Sequence, residues 1–326
     1  MTAEADPVTP ARRRAPKPTA AAELGLPDEP AKAGPGDPAA THVRAKLDHE
    51  LRELLAREPG TRAGADPEDL HQMRVALRRM RSVLKTSGAL VGPGAERARA
   101  ELGWLGQSLG EVRDYDVLIG HLREVIATFE VRDQPAGRRL VSVFVTERAA
   151  ARKGLTRALS SARYASLLQS VAQLTRAPDH EIDEAPAPDR DLVADVRKPY
   201  RRLEKAVRAL PADPPDDDLH ALRIHGKKLR YNAELARSSA KKKQAAKLAA
   251  LVKATRKLQT VLGDHQDAVV ATDRVRSLLP TADADLGFVA GRIAEHELRK
   301  RTEARAAWPA VWARIRKTAL ATGPAT

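Results

Sequence analysis

The sequence contains no cysteine. That excludes disulfides, thiolate nucleophiles, cysteine-ligated zinc and iron–sulfur clusters together. Aromatics make up 3% of the 326 residues, too few for the aromatic- and β-branched-rich faces of a sandwich or barrel. No apolar run approaches the roughly 18 residues of a membrane span. Arg12-Arg13-Arg14 has no apolar segment after it, so the N-terminus does not read as a secretory signal. A GxxxxGK[ST] loop, a GxGxxG after a strand and a G-x-S-x-G elbow are all missing. Neither catalysis, a cofactor nor a metal is expected. What is present is 42% hydrophobic and 31% charged residues with a net charge of +14. The expectation is a cytoplasmic, basic, all-α protein with a sizeable core.

Residues 1–40 are rich in Pro and Ala, carry no net positive charge and lack periodicity; they read as a disordered tail. The positive charge therefore belongs to the remainder. A Pro- and acid-rich stretch over 177–188 reads as a linker between half one, 41–176, and half two, 189–316, and residues 317–326 as a disordered end. Apolar residues three and four apart predict helices over 42–57, 67–88, 95–128, 136–160, 163–176, 189–210, 216–238, 241–279 and 283–316. Pro59-Gly60, Gly92-Pro93-Gly94, Pro135, Pro211 and Pro280 mark most of the gaps. No segment reads as a strand.

The chain repeats itself. Leu70-His71-Gln72-Met73-Arg74 through Arg81 returns as Leu219-His220-Ala221-Leu222-Arg223 through Arg230, at an offset of 149. Leu109-Gly110-Glu111-Val112-Arg113-Asp114 returns as Leu262-Gly263-Asp264-His265-Gln266-Asp267, at an offset of 153. Two motifs in one order at nearly one offset imply a duplicated helical unit and two pseudo-symmetric antiparallel bundles.

On a helix, His71, Arg74, Arg78, Arg81 and Lys85 fall within an arc of about 80°. Leu70, Met73, Leu77, Met80 and Leu84 form the neighbouring apolar stripe. His220, Arg223, Lys227 and Arg230 repeat the arc beside Leu219, Leu222 and Leu229. Fourteen residues make a cationic rail about 21 Å long. One such helix reads equally well as a solvated basic face. Two copies at one phase, bordering the core stripe and with few acids to offset them, repel unless an anion neutralises them. A pair of rails facing one cleft focuses positive potential, and a ligand with many phosphates is its natural partner. His71 and His220 sit near their helix starts, where a bound anion is favoured; a histidine capping its own helix is the simpler alternative. Gly110 and Gly263 are expected to permit close approach, and Asp114 and Asp267 to orient Arg and Lys side chains. Arg113 is a weaker ligand candidate, because Gln266 replaces it in the second copy.

Glu68 and Asp217, each three residues before a histidine, together with Glu111, Asp114, Asp264 and Asp267 imitate a di-metal carboxylate bundle. Asp66-Pro67-Glu68-Asp69 and Asp216-Asp217-Asp218 read better as helix starts. Nucleic acid is the stronger competitor, since any basic domain binds polyanions. Single-strand binders stack bases on aromatics, and none interleave these rails; Trp104 and Tyr231 read as packing residues.

At these residues the sequence resembles the CHAD family, the conserved-histidine α-helical domain. Asp66 to Arg79 resembles its first motif, Leu109 to Val117 its second, His220, Arg223, Lys227, Arg230 and Tyr231 its third, and Leu258 to Asp267 its fourth. The resemblance covers roughly 41–316. It implies two pseudo-two-fold-related antiparallel bundles with a basic groove between, binding inorganic polyphosphate, and association with polyphosphate or polyhydroxyalkanoate granules. The ligand-facing residues carried over are His71, Arg74, Arg78, Arg81, His220, Arg223, Lys227 and Arg230. Arg79, Lys85, Arg113, Lys198, Arg201, Arg202 and Lys228 are additional candidates. His225-Gly226 departs from the usual pair and puts local packing in doubt. No ExExK signature of a CYTH triphosphatase is present, so a stand-alone binding module without enzymatic activity is expected, with nucleic acid only a competing polyanion and no membrane partner. A general polyanion binder is the alternative, and a phosphoanhydride-cleaving enzyme stands behind it.

Overall fold

The computed structural model describes residues 21–176 and 190–322. Among these there are α-helices, short 3-10 turns and no strand. The helices are α1 (Ala39–Ala63), α2 (Pro67–Ser87), α3 (Ala95–Ala127), α4 (Gln134–Leu159), α5 (Ala162–Thr175), α6 (Arg197–Arg208), α7 (Asp216–Ser239), α8 (Lys242–Arg276) and α9 (Ala284–Thr322). α2 and α7 carry the first repeated motif and α3 and α8 the second. The expected linker, 177–188, lies outside the described residues, as do residues 1–20 of the expected tail.

Local chemistry explains most boundaries. Asp66 caps α2 by accepting the Glu68 N–H at 2.8 Å, with Pro67 in the first turn. The sequence reading starts the sixth helix at 189, but α6 begins at Arg197. The Asp191 carboxylate accepts the N–H groups of Val193 and Ala194 at 2.8 and 3.2 Å and holds a turn there. α1 does not end at Pro59-Gly60. It continues to Ala63 and closes on Gly64, whose φ of 69° favours glycine. Gly60 is needed because the Asp69 side chain occupies the space a Cβ would take.

Two terminal expectations are corrected. Residues 21–40 are not a detached tail: Leu24 and Leu26 are buried in the core. The Ala31 N–H donates to Asp48 at 2.9 Å and Arg52 to the Pro27 carbonyl at 2.6 Å. Apolar burial plus these bonds outweighs the low helical propensity of the segment. At the other end α9 runs to Thr322, and Ala319 is buried, so the disorder expected from 317 does not begin there.

The cores do not follow the sequence halves. The larger one joins α1, α2, α5, α6 and α7 with the first parts of α3 and α8 and the last parts of α4 and α9. The smaller one is made where the end of α3 and start of α4 meet the end of α8 and start of α9, around Leu122, Phe144, Val275 and Ile293. The Gly110–Asp114 and Gly263–Asp267 motifs lie where α3 and α8 pass from one core towards the other. Three carboxylates inside α1 are almost wholly buried, and each has a cation. Asp48 pairs with Arg52 at 2.9 Å, Glu50 with Lys46 at 2.6 Å and Arg79 at 3.4 Å, and Glu58 with Arg62 at 2.6 Å. The Tyr164 hydroxyl also donates to Glu58, at 2.9 Å. These acids interrupt the apolar pattern of α1 without leaving an uncompensated charge inside.

Candidate functional site

α2 and α7 pack against each other, and their basic arcs meet. Lys227 is the clearest witness. Burial, followed by Arg223, Arg78, Arg74 and Arg230, pushes its ammonium down to about 7. Two of those four arginines come from α2 and two from α7, so the repeats, remote in sequence, place their cations in one electrostatic cluster. Arg74 is shifted downward by burial and then by Arg78, Arg113 and Arg223, against the pull of Asp114. Arg223 is shifted downward by burial and by Arg78, while Asp267, Tyr231 and Asp114 pull it up. The Nε groups of Arg78, Arg223 and Arg230 are buried without a hydrogen-bond partner.

Backbone approach sets the geometry. The Arg74 guanidinium lies against Gly110 of α3, its Nη2 3.5 Å from where a Cβ would stand, and pairs with Asp114 at 3.7 Å. Arg81 rests on Gly103, two turns earlier, and Leu77 fills the space over Gly106 at 3.0 Å. Gly103, Gly106 and Gly110 thus form a track on α3 that the sequence reading had not picked out beyond Gly110; their three- and four-residue spacing is its signal. In the second copy the knob and hole change helices. Gly226, the counterpart of Leu77, lies on α7 and receives Leu258 of α8, 3.2 Å from its would-be Cβ. The departure at Gly226 is therefore a packing exchange between the two helices.

The histidines differ between copies. The His220 Nδ1–H donates to the Gln266 Oε1 at 2.6 Å, which fixes the ring. The first copy has Arg113 in place of Gln266. Burial and then Arg113 push His71 below the ordinary histidine range, with Arg78 and Arg74 adding to this against Glu68. Arg113 accordingly belongs to the cluster. The Asp267 side chain is exposed, and partial desolvation by the surrounding helices raises its carboxyl, as does neighbouring Asp264, against the pull of Arg223.

Lys85, Arg202, Lys228 and His225 make a second basic group from α2, α6 and α7. Burial, Lys85 and Arg202 lower Lys228, and burial, Lys228 and Arg202 lower His225. Arg79 faces the other way, onto the buried Glu50 of α1, and is committed to that pair. Lys198 and Arg201 are exposed on α6 and make no ion pair among the described residues. Arg230 spreads over the Tyr231 ring at 4.7 Å with Glu234 at 3.8 Å. Trp104 is covered by Arg163 at 4.2 Å. Both aromatics are thus occupied by arginines of their own chain. Asp216, read from sequence only as a helix start, clamps Arg301 at 2.7 Å, Arg305 at 2.9 Å and His265 at 3.1 Å. It ties α7 to α8 and α9. No described helix is long and apolar enough to cross a membrane.

The CHAD domain family matches residues 45–276. Two uncharacterized Mycobacterium tuberculosis proteins are each 30% identical over 250 residues, covering 73% of this chain and 45% of their own length. The chain thus spans about half the length of these curated relatives. Among solved structures, the CHAD domain from the plant Ricinus communis superposes with a TM-score of 0.67 at 26% identity, covering 88% of this chain and 95% of that one. PptA from Streptomyces chartreusis superposes with a TM-score of 0.66 at 20% identity, covering 85% and 99%, a likeness of fold.

Proposed function

This chain belongs to the CHAD domain family, and from that premise we propose that its facing α2 and α7 rails bind inorganic polyphosphate. The observation that carries the reading is the Lys227 cluster, in which cations from both repeats crowd together with buried, unpartnered guanidinium donors. Such crowding is unfavourable in the free protein and is relieved by a multiply charged anion. Each phosphate meets Arg or Lys in charge-assisted hydrogen bonds, and a long chain engages both repeats at once. The proposed contacts are His71, Arg74, Arg78, Arg81, Arg113, His220, Arg223, Lys227 and Arg230. Lys85, Arg202 and Lys228 extend the track beyond them. Asp114 and Asp267 hold Arg74 and Arg223 in place. The role is that of a binding module, with polyphosphate or polyhydroxyalkanoate granules as the place where it acts.

A generic polyanion binder is the second reading, because the same cations neutralise any phosphodiester backbone. The occupied Trp104 and Tyr231 faces argue against base stacking. The deciding experiment is a competition titration. Labelled long-chain polyphosphate is displaced with duplex DNA, RNA or pyrophosphate at several salt concentrations. Retention of polyphosphate against excess nucleic acid at near-physiological salt is the expected result. Displacement at equal phosphate concentration overturns it in favour of the generic binder.

A further inference from the structure

Away from the rails, His121 of α3 and His296 and Glu297 of α9 converge, their ligand atoms all within 4.8 Å of one another. The His121 Nε2 lies 2.5 Å from the Glu297 Oε1, and the two imidazole rings are 6.1 Å apart. Glu297 is wholly buried, and its Oε2 has no hydrogen-bond partner. An ordinary histidine–carboxylate hydrogen bond accounts for one oxygen and leaves the other, and the second imidazole, unexplained. Leaving a buried carboxylate oxygen unpaired is costly. The contrast within the molecule is direct. Asp48, Glu50 and Glu58 are equally buried, and although Glu50 Oε2 also has no hydrogen-bond partner, each of the three carboxylates is neutralised by a permanently charged Arg or Lys, whereas Glu297 pairs with His121.

We propose that His121, His296 and Glu297 bind a zinc-class divalent metal ion. Two imidazoles and one carboxylate are the donor set of a three-ligand zinc site with its fourth position open. Metal–ligand distances of about 2.0–2.2 Å put tetrahedral ligand atoms roughly 3.3–3.6 Å apart, so the 2.5 Å His121–Glu297 contact opens and separations ranging up to 4.8 Å close, each by about an ångström. His121 and His296 line a cleft of ≈ 470 Å³ together with Glu124, Arg299, Lys300 and Glu303, and Glu297 lies buried behind them. The two carboxylates there offset the two cations, and water or an anion can complete the shell. The ligands come from opposite repeat halves, so the ion fastens the α3–α4 hairpin to the α8–α9 hairpin beside the smaller core. The sequence reading assigned no metal, because His121 and His296 lie far apart in the chain and match no ligand spacing.

The test uses the full chain without a histidine tag, stripped with chelator and titrated with Co²⁺. One equivalent with the intense visible absorption of a tetrahedral site, bleached by Zn²⁺, is expected in the native protein. His296→Ala, at the cleft rim, and His121→Gln are expected to lose that absorption while keeping the native circular dichroism. If His121→Gln fails to fold, the partly exposed His296→Ala still decides the question. A native protein without the band, or a band unchanged in both variants, overturns the site.

Discussion

Arg223 lies against Gly263 with its Nη2 3.5 Å and its Nε 3.7 Å from where a Cβ would stand, the same two distances that relate Arg74 to Gly110. An alanine methyl at that range is in ordinary contact, whereas a longer side chain displaces the guanidinium. Gly263→Ala is therefore expected to keep polyphosphate affinity and gain up to about 1 kcal/mol of stability from helix propensity. Gly263→Leu lifts Arg223 out of the cluster and lowers affinity about tenfold, the loss of one charge-assisted bond. Isothermal titration with thermal melts checks both; equal affinity in the leucine variant contradicts the role given to the glycine.

Replacing Arg74 and Arg223 together by alanine removes one contact from each rail. Affinity should fall about a hundredfold, and the slope of log K against log salt should flatten by about 1.5–2. Asp114 and Asp267 are left without their partners, but Asp114 is 68% exposed and Asp267 is exposed too, so the fold survives. An unchanged slope means that the rails are not the site.

Lys227 gives the site a pH dependence of known sign. Its folded value of about 7 lies below its unfolded value of 10.5, so the unfolded chain holds more protons between them, and stability of the free protein rises with pH across that window. Bound polyphosphate restores the ammonium, so binding at pH 8 takes up close to one proton, and affinity declines as pH rises above about 7. Calorimetry in buffers of different ionisation enthalpy measures the uptake. Lys227→Met should abolish it.

The segment before α1 is part of the fold. Leu26 is 5% exposed, and Leu26→Ala should cost about 2–4 kcal/mol in chemical denaturation. A loss below about 0.5 kcal/mol is the surface value and would show that the segment is only loosely docked.

Asp216 accepts bonds from Arg301 and Arg305 and pairs with buried His265. Asp216→Ala should cost about 2–4 kcal/mol and leave polyphosphate affinity little changed, since none of its partners lies on the rails. A selective loss of affinity at unchanged stability would contradict this structural assignment.

The all-α class, the helix starts at Asp66-Pro67 and Asp216, the repeat and the phase of the rails were legible in the sequence, because periodicity, capping and duplication are local properties. The basic arcs of α2 and α7 could be written down residue by residue. Their meeting could not: it depends on α2 packing against α7, which brings Arg78 within electrostatic reach of Lys227 across a long sequence separation. The direction of Arg79 was equally hidden. It lies only one residue beyond Arg78, yet the buried Glu50 turns it towards α1. Residues 21–40 looked disordered because Pro and Ala give no periodic signal, and the segment is held by residues outside it, Asp48, Arg52 and Arg176. Sequence determined which residues share a helix face. Tertiary packing decided which faces meet, which cations are already neutralised by buried acids, and which, like Lys227, are crowded by other cations, because those outcomes depend on distances between helices.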